Sequence, residues 1–136
     1  MRIVVADSQS KVRFALCTLL KRRPGLEVVG EAVTAEELLA QVEAIRPDLV
    51  LLHWRLQEGG AELLRVLKEV CPGLRVVVLS AQPEMGSEAL CAGADAFVCK
   101  MDPPEKLLAA IEGVKLDHSQ HRRRGRRPSV QPVEAF

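Results

Sequence analysis

Short apolar runs alternate five times with longer stretches in which apolar residues recur every three or four positions. Ile3-Val4-Val5-Ala6 is continuous and ends on Asp7, the pattern of a strand covered on both faces. Val12, Ala15, Leu16, Leu19 and Leu20 then fall at helical spacing, and Pro24-Gly25 stops that helix. Leu26 to Ala32 reads as a second strand. Thr34 with Glu37 three residues later is a capping box, opening a helix with inner face Leu38, Leu39, Val42 and Ile45. Arg46-Pro47-Asp48 breaks the chain before its most hydrophobic strand, Leu49-Val50-Leu51-Leu52, which ends on polar His53. Leu63, Leu64, Leu67 and Val70 predict a third helix, closed by Cys71-Pro72-Gly73. Val76 to Leu79 follows and ends at Ser80. A short helix around Glu84–Ala92 leads to Ala96-Phe97-Val98-Cys99, which ends at Lys100. Asp102-Pro103-Pro104-Glu105 joins an N-cap candidate to a proline at the first helical position. Leu107, Leu108, Ile111 and Val114 then form the inner face of the last helix.

Five strand–helix units with buried strands predict an α/β fold, a doubly wound five-stranded parallel sheet of flavodoxin-like order 2-1-3-4-5. Ile3, Val5, Val50, Leu52, Val77 and Leu79 are its predicted buried strand residues. The folded domain spans residues 1–117, and residues 118–136 form a basic tail without apolar periodicity, read as disordered. That tail holds five arginines and one glutamate, which leaves 14 basic and 17 acidic side chains in the domain itself. With 136 residues, 48% hydrophobic and 27% charged, the chain is one ordinary globular domain. No apolar run approaches the ~20 residues that span a bilayer, so no membrane is implied and a cytoplasmic location is expected. Cys17, Cys71, Cys91 and Cys99 show no CxxC pair or ligand spacing and read as reduced, buried thiols.

In open parallel sheets the chemistry sits outside the carboxyl ends of the strands, at the switch point. Four strands here end on Asp7, His53, Ser80 and Lys100, and the assumed order makes those strands adjacent. Polar residues are ordinary where a strand meets solvent, but four different types on four neighbouring strands predict a shared pocket.

The segments bearing these residues resemble the receiver domain of two-component response regulators, in the NarL/FixJ-type branch. Val-Val-Ala-Asp7-Ser8-Gln9 with Val12-Arg13 is similar to the receiver opening, where an acidic pair follows the first strand. Glu27 to Ala32 looks like the branch's second strand, and Arg46 to Leu56 resembles the third, whose terminal residue in the family is the phosphorylated aspartate. Val78-Leu-Ser-Ala81 resembles the segment with the switch hydroxyl. Ala92 to Lys100 resembles the segment with the switch aromatic, here Phe97, and the pocket lysine. The resemblance covers residues 2 to about 116.

Departures from the pattern alter what it implies. His53 stands at the acceptor position and Ser8 at the second acidic position, so of three carboxylates only Asp7 remains. Mg²⁺ wants oxygen ligands anchored by carboxylates, and its binding is expected to be lost, leaving no cofactor, no metal and no catalytic residue. The loop Gln57-Glu58-Gly59-Gly60 replaces a Pro-Gly-rich turn, and helix 4 is expected to be stunted, with Gly86 inside it. Residues 117–136 are too few for the helix-turn-helix that usually follows in the branch. The resemblance therefore implies a stand-alone, phosphorylation-independent receiver that binds a signalling protein or a second copy of itself, through helix 1 or helix 5. Two other readings rest on particular residues. Arg122, Arg123, Arg124, Arg126 and Arg127 are candidate nucleic-acid contacts, though no aromatics accompany them for stacking. Asp7, His53 and Ser80 follow the order of a charge-oriented nucleophile, without a nucleophile-elbow sequence. Within the pocket, Asp7 is expected to pair with Lys100 or with His53, the second choice raising the imidazole pKa and the alternative being a neutral His53.

Overall fold

The computed structural model describes residues 1–56 and 60–124, with side chains described up to residue 115. The strands are β1 (Arg2–Ala6), β2 (Glu27–Ala32), β3 (Leu49–His53), β4 (Arg75–Ser80) and β5 (Ala96–Cys99). The helices are α1 (Ser10–Lys21), α2 (Ala35–Ile45), α3 (Gly60–Val70), α4 (Met85–Cys91) and α5 (Pro104–Arg124). All strand pairs are parallel and the order is β2-β1-β3-β4-β5, as the pattern predicts.

Alternate residues of a strand point to opposite faces of the sheet, and two cores result. Ile3, Val5, Leu49, Leu51, Val77 and Leu79 face α1 and α5, meeting Leu20, Leu107 and Ile111. Val4, Ala6, Val50, Leu52, Val76 and Val78 face α2, α3 and α4, meeting Leu38, Leu64 and Leu67. The six strand residues predicted to be buried are all buried, divided between the two faces. Each fully covered Val, Leu or Ile contributes about 1.5–3 kcal/mol relative to exposure. This double coverage fixes the strand ends that carry the polar residues.

The capping box forms with a variation. Glu37 N–H donates to Thr34 Oγ1 at 3.1 Å, while the Glu37 carboxylate accepts from Val33 N–H at 2.8 Å. At its other end α2 stops on Arg46 in the left-handed region (φ 55), directly before Pro47. An arginine there costs about 1–2 kcal/mol, offset by its guanidinium donating to the Val70 carbonyl at 2.8 Å.

Several elements differ from the sequence reading. Helix α1 buries Cys17 and Leu20, leaving Ala15 exposed and Phe14 74% exposed. Overlapping stripes fit the same helical spacing, and the thiol, which packs as a small hydrophobe, tips the rotation. Helix α4 is short, seven residues, and leaves Cys91 exposed rather than buried. Asp102 does not adjoin α5, which begins at Pro104; its carboxylate accepts from Cys99 N–H at 3.3 Å. Helix α5 runs past the expected boundary at 117 to Arg124, through a stretch of helix-tolerant Leu, Gln and Arg free of Gly and Pro until Gly125. Arg122, Arg123 and Arg124 thus lie in its last turn; Arg126 and Arg127, like the loop Gln57-Glu58-Gly59, lie outside the described residues.

Candidate functional site

Asp7 sits one residue beyond β1 and is 1% exposed, so its carboxylate depends on protein partners for the interactions water would give. Gln9 N–H donates to Asp7 Oδ1 at 2.9 Å, folding the chain into a tight polar turn. Lys100 Nζ donates to Asp7 Oδ2 at 2.8 Å. Arg13 donates to the Asp7 main-chain oxygen at 2.8 Å and to Glu31 Oε1 at 3.1 Å, tying α1 and β2 to the same corner. The pocket therefore has a paired charge at its centre.

His53, the last residue of β3, holds its Nδ1 at 3.8 Å from Asp7 Oδ2, too far for a hydrogen bond. That nitrogen is buried without a partner among the described residues. Burial lowers the His53 pKa from its usual 6.5, the Lys100 ammonium lowers it further, and the Asp7 carboxylate pulls the other way without prevailing. Of the two partners open to Asp7, the structure selects Lys100. The raised imidazole pKa that a His53 contact implies is not found: burial pushes it down first, and the Lys100 ammonium on the carboxylate oxygen nearest the ring pushes it down further. Above its ordinary value of 6.5, therefore, His53 is a neutral imidazole.

Ser80 ends β4 at 2% exposure; its Oγ accepts from Gln82 N–H at 3.1 Å, and its carbonyl accepts from Lys100 N–H at 2.8 Å. The latter bond holds the β4 and β5 ends in step. No hydrogen bond joins His53 to Ser80 among the described residues, so the Asp7–His53–Ser80 arrangement lacks the relay a nucleophilic serine needs. Ser8 is exposed. Phe97 is half-buried with its ring turned inward onto α4: a Cβ built on Gly86 meets the ring at 3.0 Å. Sequence reading thus located Asp7, His53, Ser80 and Lys100 on adjacent strand ends. It did not foresee Gln9 as the donor to Asp7 or Arg13 as its main-chain anchor.

The family model described as response regulator receiver domain matches residues 3–112. The chain belongs to the receiver family of two-component response regulators. This receiver is 37% identical to the DNA-binding transcriptional activator DevR/DosR of Mycobacterium tuberculosis, covering 84% of this chain and 54% of that protein. It is 34% identical to the transcriptional regulatory protein YhcZ of Bacillus subtilis, covering 79% and 52% respectively. The receiver spans about half the length of these curated relatives. A crystal structure of a LuxR-family response regulator from Aurantimonas sp. SI85-9A1 superposes with a TM-score of 0.77 at 30% identity, covering 88% of this chain and 92% of that one.

Proposed function

We propose that this receiver acts as a phosphorylation-independent protein-interaction module, with His53 standing where the family places its phosphorylated aspartate. The observation that carries the reading is the Asp7–Lys100 ion pair at 2.8 Å, closed on its other side by Gln9 N–H and flanked by a neutral imidazole. A hard dication needs oxygen ligands anchored by carboxylates. Among the described residues Asp7 is the pocket's one carboxylate, each of its oxygens already accepts a hydrogen bond, and its charge is met by an ammonium. Ser8 and His53 supply a hydroxyl and an imidazole where two further carboxylates would be needed. The residues present do not fit Mg²⁺, and with neither metal nor acceptor carboxylate the pocket is degenerate. Without a phosphoryl input, signalling falls to the surfaces the fold presents.

The test exposes the full chain to acetyl phosphate, and separately to beryllofluoride, each with Mg²⁺. Unchanged mass and unchanged amide signals for Asp7, His53, Ser80 and Lys100 are the expected result. A mass increase or a shift confined to those residues would overturn the reading.

A further inference from the structure

Helix α1 packs mainly on β1 and β2, and α5 mainly on β4 and β5. Over their shared face of the sheet the two helices part, leaving a cleft of about 650 Å³. Its floor belongs to the core: Leu79, Val98 and Leu107, at 4%, 7% and 4% exposure, line it. Phe14, Ala15 and Leu19 of α1 form one wall, and Pro103 stands opposite. An isolated exposed apolar residue needs no explanation. Phe14 is a different case, 74% exposed at the rim of an apolar cavity that reaches the sheet. The volume falls within the range of about 300–1,000 Å³ found for small-molecule sites.

Charge narrows the kind of molecule. Lys11 and Arg22 both line the cleft, and neither makes an ion pair among the described residues. Among the described residues the lining holds one carboxylate, Asp102, which accepts from Cys99 N–H at 3.3 Å. Arg22 closes the carboxyl end of α1, where the helix field favours a cation without any ligand. Lys11 lies in the first turn, where that field opposes it, and α1 has no acidic residue to offset the charge. An anion held in the cleft beside Lys11 supplies the missing partner. From Lys11 to Arg22 the helix rises roughly 16 Å. A zigzag aliphatic chain of roughly twelve carbons, with bonds of about 1.5 Å, covers the same length.

We infer that this cleft binds a single-chain amphiphile of the fatty-acid class, carboxylate beside Lys11 and chain laid over Leu79, Val98 and Leu107. A sugar or nucleotide fits less well, because its hydroxyls would face Phe14, Leu79 and Val98 without partners. The assignment is independent of the interaction-module reading, since Asp7, His53 and Ser80 do not line the cleft.

The probe is sodium dodecanoate, kept below the concentration at which it forms micelles. It is titrated into the full chain with labelled Leu and Val methyls, beside hexanoate and dodecyltrimethylammonium as controls. The expected result is one saturable site per chain, read as shifts of the Leu79, Val98 and Leu107 methyls. Hexanoate binds at least about a hundredfold more weakly, since each buried methylene contributes about fourfold. The cationic amphiphile leaves these methyls unshifted, whereas Lys11→Glu weakens dodecanoate and admits the cation. Phe14→Ala weakens dodecanoate about tenfold. Ala15→Trp, at an exposed position, fills the cleft and abolishes binding with the far-ultraviolet dichroism unchanged. Absence of a saturable shift overturns the proposal, and so does equal binding of the two head groups. Several molecules bound per chain with loss of helical dichroism, or binding that survives Ala15→Trp, overturns it as well. Two further results reassign the cleft and thereby remove the proposal. One is sedimentation of the chain with neutral phosphatidylcholine vesicles that Ala15→Trp prevents, which gives the cleft to a bilayer. The other is a wild-type dimer that Ala15→Trp dissociates, which gives it to a second copy.

Discussion

His53 carries the most direct test at the scale of a single residue. Its imidazole has a folded-state pKa below the unfolded 6.5, so the unfolded chain binds the proton more readily. Stability from this residue is fully present above pH 6.5 and is lost as pH falls through the depressed folded value. Urea midpoints should therefore decline as pH drops below 6.5, and His53→Gln should flatten that part of the profile. An equal decline in both proteins, or an NMR titration of the ring above 6.5, would contradict the assignment. Residue identity made part of this pocket legible: a histidine, a serine and a lysine closing three apolar strands are visible in the primary sequence. Which of the two side chains takes Asp7 was not legible. That choice is set by whether a ring nitrogen rests at 3.8 Å or an ammonium at 2.8 Å, a distance decided by packing around β1, β3 and β5.

At the scale of elements, α4 and β5 meet through Gly86 and Phe97. Replacing a helical glycine by alanine gains about 1 kcal/mol in propensity, but here the new methyl lies 3.0 Å from the ring. Overpacking of this kind costs about 1–3 kcal/mol, so Gly86→Ala should destabilise slightly or leave stability unchanged. In a Phe97→Leu background the same change should stabilise, and a double-mutant cycle from denaturation data would measure the reversal. Additive effects would show that the two side chains do not meet. The existence and order of all ten elements, and the inner faces of α3 and α5, were legible in the pattern, since each needs only its own periodicity. In α1, Leu16, Leu19 and Leu20 meet the core as their spacing predicts, but Cys17 takes the place expected of Ala15. Two overlapping apolar stripes compete there, Cys17 against Ala15, and only contact with the sheet chooses between them.

Across the whole molecule, the two cores share one sheet and should unfold together. Leu51 points to the α1–α5 side, while Trp54, buried at 5% exposure, lies in the α2–α4 core. Leu51→Ala should cost about 2–5 kcal/mol and move the Trp54 fluorescence transition by the same amount as the far-ultraviolet dichroism. Separate midpoints would reveal two independently stable layers. The strand order also bears on synthesis. Of the five strands β1 leaves the ribosome first, yet it lies inside the sheet, and the neighbour on one of its edges, β3, begins roughly forty residues later. At about 5–20 residues per second that partner arrives some seconds behind. Until it does, Ile3 to Ala6 present an unpaired apolar edge of the kind that recruits other chains. The nascent protein therefore exposes this edge for an interval that slower translation between Ala6 and Leu49 would lengthen.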